Sequence, residues 1–195
     1  MKHVITISRE FGSGGREIGS CLAKRLNIPF YDKEIISLAS ENSNLSEDFI
    51  ENHDEMIIQS KNKSYTPFSA VYEIPMSDQV FLEQSRIIRK LAAKEPCVIV
   101  GRCADRVLED SINLFIYARM NKRIERLLTM ESEMDSEKME SKIREIDRKR
   151  KDYYQYYTGS TWGRAQNYDL CLDSGKIGIK ATVNIILSYL EALDS

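Results

Sequence analysis

Three glycines fall within four positions, Gly12-Ser13-Gly14-Gly15, and they separate two segments of different periodicity. Before them Val4-Ile5-Thr6-Ile7 is a short β-rich run; after them Ile18, Cys21, Leu22 and Leu26 recur at helical spacing. The order is strand, loop, helix. Glycines let successive N–H groups turn toward one concave point, and the helix that follows adds the positive end of its dipole. A loop of this kind is built to hold an anion, and phosphate fits it.

The rest of the chain repeats the alternation. Asn27-Ile28-Pro29-Phe30-Tyr31 reads as a turn into a second short strand, and Asp32 stands where it would cap a helix running to about Glu41. Ser46, followed by Glu47 and Asp48, opens another helix, and from Ser77 the spacing of Val80, Phe81, Ile87, Ile88 and Leu91 gives one ending near Lys94. Between them, over residues 60 to 76, periodicity lapses around Pro67 and Pro75, which predicts a mobile connection. Cys97-Val98-Ile99-Val100 is the uninterrupted apolar run of a strand covered on both faces. Ile112 to Tyr117 and Tyr168 to Leu172 add strands, with helices from about 121 to 131, 136 to 156 and 177 to 193. The pattern predicts a single α/β domain over residues 1–195, with a central parallel sheet of about five strands between helical layers. Ligands in such sheets bind at the carboxyl ends of the strands.

A formal net charge of −2 with 30% charged residues gives no general basic field, so nucleic acid and anionic membranes are unlikely partners and any affinity for phosphate is local. Cys21, Cys97, Cys103 and Cys171 form no Cys-x-x-Cys pair, which suits a reducing cytoplasm. No apolar stretch approaches the roughly 18 residues of a membrane span. His3 and His53 lack acidic or cysteine partners at ligand spacing, so no metal cluster is expected from them. Met130, Met134 and Met139 are expected to pack rather than bind.

Candidate binding residues start with the loop itself: Gly12, Ser13, Gly14, Gly15, Arg16 and Glu17. The strict pattern G-x-x-x-x-G-K-[ST] is not met, because Arg9 stands at its first glycine, Gly15 at its lysine and Arg16 at its hydroxyl. Cationic support for phosphate must therefore come from Arg16, Arg9 or elsewhere, and either Glu17 holds the metal or no residue of the loop does. A dinucleotide site is the alternative, since Asp32 lies 20 residues beyond Gly12; Glu17 at the third glycine position opposes it. Arg144, Asp147 and Arg150, three residues apart, are expected to share a helix face, with two guanidiniums converging and Asp147 orienting one of them. The same stretch is rich in lysine and arginine, and on this observation alone a solvated charged helix is the favoured reading. Tyr153, Tyr154, Tyr156 and Tyr157 beside it have two readings, base stacking or aromatic packing. Arg102 leaves the buried strand where substrate is held, or else is a surface residue at a helix start; Asp173 ends the last strand, as ligand or as helix cap.

Taken together, Ile7 to Gly19, Pro29-Phe30-Tyr31-Asp32-Lys33-Glu34, Val100-Gly101-Arg102 and Arg144-x-x-Asp147-x-x-Arg150 resemble the cytidylate kinase-like family of P-loop proteins. The resemblance implies a nucleoside monophosphate kinase fold, with a helical acceptor-binding insertion at about 32–80 and a lid at about 132–160. It implies ATP and Mg²⁺ as cofactors and CMP or dCMP as acceptor. By that likeness residues 12 to 17 hold the donor phosphates, Arg102, Asp32 and Asp173 the acceptor, and Arg16, Arg144 and Arg150 the moving charge. A catalytically weak nucleotide- or phosphate-binding module with the same fold is the second expectation, because lysine and hydroxyl are missing from the loop.

Overall fold

The computed structural model describes residues 3–42, 46–55, 75–130 and 134–195. In chain order the elements are β1 (Ile5–Arg9), α1 (Gly15–Leu26), β2 (Phe30–Tyr31), α2 (Glu34–Asn42), α3 (Glu47–His53) and α4 (Met76–Lys94). There follow β3 (Val98–Val100), α5 (Ala104–Val107), β4 (Ile112–Tyr117), α6 (Met120–Leu128), α7 (Ser136–Thr158), β5 (Leu170–Asp173) and α8 (Ser174–Leu193). The connection expected over 60 to 76 lies outside the described residues, except for Pro75 and Met76, which open α4.

The five strands form one parallel sheet in the order β2-β3-β1-β4-β5. After β1 the chain moves out to β2, returns through β3, then crosses to the far side of β1. The loop following β1 therefore opens at the place where strand order reverses.

Both faces of the sheet are dry, as its continuous apolar runs predict. Ile5, Ile7, Val98, Val100, Leu114 and Ile116 face Ile18 and Leu22 of α1 and Ile186 and Leu190 of α8. The alternate positions Val4, Cys97 and Ile99 face Ile35, Ile50, Val80 and Ile88 of α2, α3 and α4. Each fully buried isoleucine or leucine contributes about 1.5–3 kcal/mol of transfer free energy. β1 gives Ile5 and Ile7 to the first layer and buries Thr6 and Ser8 on its other face, hydrogen-bonded to Asn113 and Asp105, so the loop it feeds starts from a buried base.

Several local expectations hold in detail. The Ser46 hydroxyl accepts from the Phe49 N–H at 3.2 Å, and α7 starts at an Asp135 cap. Met139 is buried with Leu127 and Ile143, whereas Met130 is exposed. Tyr153, Tyr154 and Tyr157 pack with Phe81, Cys103 and Trp162, the Phe81 and Tyr157 rings stacking with centroids 4.0 Å apart. Packing, not base stacking, is what uses them. Among the described residues no helix is long and apolar enough to cross a membrane, and all four cysteines are free.

Candidate functional site

The loop after β1 is held from behind by its own carbonyls. Phe11 C=O accepts from Arg123 Nε at 2.9 Å, Gly12 C=O from Arg126 Nη1 at 2.9 Å, and Ser13 C=O from the Ser174 hydroxyl. In a trans peptide the N–H of the next residue points the opposite way, so anchoring these oxygens turns the N–H groups of Gly12 and Gly14 away from the anchors, while the Ser13 N–H donates to the Glu10 carbonyl at 3.2 Å. Gly14, at φ 80°, precedes α1 in a left-handed conformation that only glycine adopts without strain, and no side chain caps the helix. The N–H groups of Gly14 to Glu17 therefore have no intrahelical acceptor and face an open cleft.

That cleft has a volume of about 1010 Å³ and is lined on one wall by Gly12, Gly14, Gly15, Arg16 and Glu17, on the other by Asp32, Asp54, Glu55 and Arg102, with Arg150 reaching in from α7. The carboxylate of Asp147 takes the Phe11 N–H at 2.8 Å and also pairs with Arg123, so it secures the rim of the loop and leaves the cup open.

The second wall is a buried ion-pair network. Gly101, Arg102 and Cys103 are successive left-handed residues, with φ of 80°, 55° and 53°, and this turn drives the Arg102 side chain inward, where 1% of it is exposed. Its guanidinium meets Asp54 at 2.6 Å and Asp32 at 3.5 Å. Asp32 also pairs with Arg16 at 2.6 Å. Glu55 accepts from Arg9 Nη1 at 2.6 Å and from the Arg102 N–H at 3.0 Å through one oxygen, and from Arg150 Nε at 3.1 Å through the other. Burial alone would raise the Glu55 pKa, but Arg9, Arg150 and Arg102 outweigh it and hold the carboxyl well below its usual range. For Asp54 the balance tips the other way: burial, helped by Glu55, leaves it raised in spite of Arg102. Arg102 loses charge preference to burial yet gains more from Asp54, Glu55 and Asp32, so its pKa is raised.

Not all expected residues converge. Arg144 is 67% exposed and pairs with Glu140 on its own helix, outside the cleft. The expectation that it and Arg150 form a fork oriented by Asp147 fails for a geometric reason. Six residues at 100° each leave the two arginines about 120° apart around the axis, and Asp147 between them turns to Arg123 instead. Asp173 accepts from the Gly175 N–H at 3.0 Å and caps α8, also outside the cleft. Sequence reading misses Arg123 and Arg126, although their spacing of three on the helix directly after a central strand was a usable signal, and it misses Asp54 and Glu55, which no motif marks.

The donor set does not suit Mg²⁺. Asp32, Asp54 and Glu55 all face guanidiniums, the hydroxyl position of the loop is Arg16, and among the described residues no group of three or more histidines, cysteines or acids is arranged to hold a metal ion. The glycine cup, in contrast, fits a phosphate chain: a Cβ at Gly12, Gly14 or Gly15 would come within 2.8, 2.5 or 2.5 Å of neighbouring atoms, so the loop is as close-wound as side chains allow.

Comparison with known proteins identifies the family and the fold. The model of the cytidylate kinase-like family matches residues 4–176. No curated protein matches the chain. Among solved structures, an uncharacterized protein from Eubacterium ventriosum ATCC 27560 superimposes with a TM-score of 0.73 at 28% identity, covering 97% of this chain and 99% of that one. A shikimate kinase from Bacteroides thetaiotaomicron gives 0.57 at 14% identity, covering 97% and 98%. A gluconokinase from Sinorhizobium meliloti 1021 gives 0.53 at 13%, covering 99% and 98%. The fold is the kinase-like P-loop fold.

Proposed function

The chain belongs to the cytidylate kinase-like family, and we propose that it is a phosphotransferase moving the γ-phosphoryl group of ATP to a small phosphate-bearing acceptor, CMP or dCMP in the first instance. One observation carries the reading: an open cup of loop amides and a cluster of guanidiniums border the same cleft. Phosphoryl transfer needs little covalent chemistry from a protein; it needs positioning and charge stabilisation, which this cleft offers.

In the proposed roles, the amides of residues 12 to 17 hold the donor phosphates, with Arg126 buttressing the loop through Gly12 C=O. Arg102 binds the acceptor phosphate; its buried Nε has no partner among the described residues and is the donor left over for a ligand. Arg16 and Arg150 border the gap between the two and stabilise charge on the group in transit. Asp32 orients Arg16 and Arg102. Mg²⁺ travels on the nucleotide phosphates, and no protein ligand is assigned to it. Arg144 and Asp173 take no part.

The test is ADP release with CMP, dCMP, UMP and AMP, with and without Mg²⁺. Turnover with CMP or dCMP above the other acceptors is the expected outcome. Nucleotide binding without turnover for every acceptor would replace this reading by the second one, a catalytically weak phosphate-binding module. That alternative draws on the glycine at the lysine position and on the pairing of Arg9, Arg102 and Arg150 with carboxylates of the chain itself.

A further inference from the structure

Two departures from the usual phosphate loop, an arginine for its first glycine and a glycine for its lysine, are independent in the sequence and linked in space. A Cβ built on Gly15 would lie 2.5 Å from Cβ and 3.0 Å from Cγ of Arg9. The stem of Arg9 thus fills the volume in which any residue-15 side chain would begin, and its Cβ, fixed to β1, has no freedom to retreat. Farther out, a Cβ on Gly101 would lie 2.2 Å from Arg9 Nη1. Gly15 clears a path for the stem of one arginine, and Gly101 clears a path for its head.

The head ends in the cleft, not in solvent: the Arg9 side chain is 12% exposed, against 64% for Arg16. What it meets there is an oxyanion. The Glu55 carboxylate is bound by Arg9, by the Arg102 main-chain N–H and by Arg150, two guanidiniums and an amide around two oxygens. A phosphoryl group asks for the same donors. Around it, Arg9, Arg16, Arg102 and Arg150 face Asp32, Asp54 and Glu55, four positive charges against three negative. A phosphate of about −2 charge is therefore best received if one carboxylate leaves.

We propose that Arg9 and position 15 have exchanged the roles of glycine and cation, so that Arg9 is the phosphate-binding cation of the loop and a phosphoryl oxygen of the ligand takes the place that Glu55 holds between Arg9 and Arg150. The proposal deepens the phosphotransferase reading and rests on it for the nature of the ligand.

Four proteins test it: wild type, Arg9→Gly, Arg9→Lys, and the reciprocal double variant Arg9→Gly with Gly15→Lys. Binding of ATP and of inorganic tripolyphosphate is measured by calorimetry. Arg9→Gly is expected to weaken tripolyphosphate about ten- to a hundredfold, Arg9→Lys markedly less, and the double variant is expected to recover most of the loss. Equal losses in the Gly and Lys variants, or a double variant no better than Arg9→Gly, would overturn the exchange. A packing test needs no ligand: Gly15→Ala is expected to lower thermal stability in the wild-type background and to be tolerated beside Arg9→Gly, and additive effects of the two would count against the proposal. Wild type that binds tripolyphosphate but not ATP sinks the nucleotide reading and leaves this one standing. Wild type that binds neither sinks both.

Discussion

The two walls of the cleft hold charge by different means. Residues 9 to 19 form a wall of main-chain amides wound around glycines, anchored from behind by Arg123, Arg126 and Ser174. The facing wall, Asp32, Asp54, Glu55 and Arg102, is made of side chains from distant segments, its three carboxylates balanced by Arg102 together with Arg9, Arg16 and Arg150. Peptide dipoles fixed by the fold carry no net charge and need no counter-ion. Buried guanidiniums without a ligand must be paired, because an unpaired buried charge is expensive. Under the proposed reading, the first wall is preorganised for an anion and the carboxylates of the second hold positions that a phosphate would take.

The sharpest way to break this comparison is to remove one member of the paired wall. Arg102→Met deletes a guanidinium that is 1% exposed and leaves Asp54 and Asp32 facing each other in the interior. A loss of about 3–5 kcal/mol in urea unfolding is expected. A loss under about 1 kcal/mol would mean that water reaches these carboxylates and that the wall is not a buried network. The amide wall is expected to be less sensitive. Gly14→Ala forces a left-handed φ of 80° on a residue with a Cβ, worth about 1–2 kcal/mol, while the nearest clash, at 2.5 Å, is with the mobile end of Ile179. The same unfolding experiment reads it, and phosphate binding should suffer more than stability does.

How much of each wall was legible in the sequence follows from the same difference. Amide geometry is local: glycines in one loop, after one strand and before one helix, write it within eleven residues, and the five strands that support it are apolar runs that periodicity finds. Ion pairs between distant segments leave no local trace. Asp54 and Glu55 sit in a stretch with neither motif nor periodicity, and Arg102 reads from sequence as buried ligand or surface residue with equal ease until three successive left-handed residues turn it inward. The Arg9 and Gly15 positions were visible as anomalies, but only the distance between them makes them one anomaly.

Acidification separates the walls more gently. Burial works to raise the Glu55 pKa, but Arg9, Arg150 and Arg102 outweigh it and hold the carboxyl below its ordinary value of 4.5. A carboxyl whose folded-state pKa is depressed adds stability above its unfolded value and loses it as pH falls toward the folded one. The stability advantage of wild type over Glu55→Gln is therefore expected to be full above about pH 5 and to shrink steadily below it. An advantage that does not change with pH would show that Glu55 acts through shape alone. The amide wall has no such titration, so Gly14→Ala should cost the same at both ends of the range.

The smallest effect expected comes from an arginine that the sequence groups with the cleft and the helix geometry excludes. Arg144 and Arg150 share α7, but at 100° per residue they point about 120° apart. Arg150 reaches Glu55 and the Arg9 carbonyl, at 3.1 and 3.2 Å, with 16% of its side chain exposed. Arg144 is 67% exposed and pairs with Glu140, one turn back. A solvated pair at that spacing contributes about 0.3–0.5 kcal/mol at low salt. Arg144→Ala should therefore shift unfolding by no more than that and turnover by less than about twofold, whereas Arg150→Ala should lower turnover far more than nucleotide affinity. Should Arg144→Ala instead cut turnover tenfold with stability untouched, α7 must rotate by roughly a third of a turn during the reaction. The paired wall would then be one of two arrangements of the same arginines rather than the resting form of a fixed site.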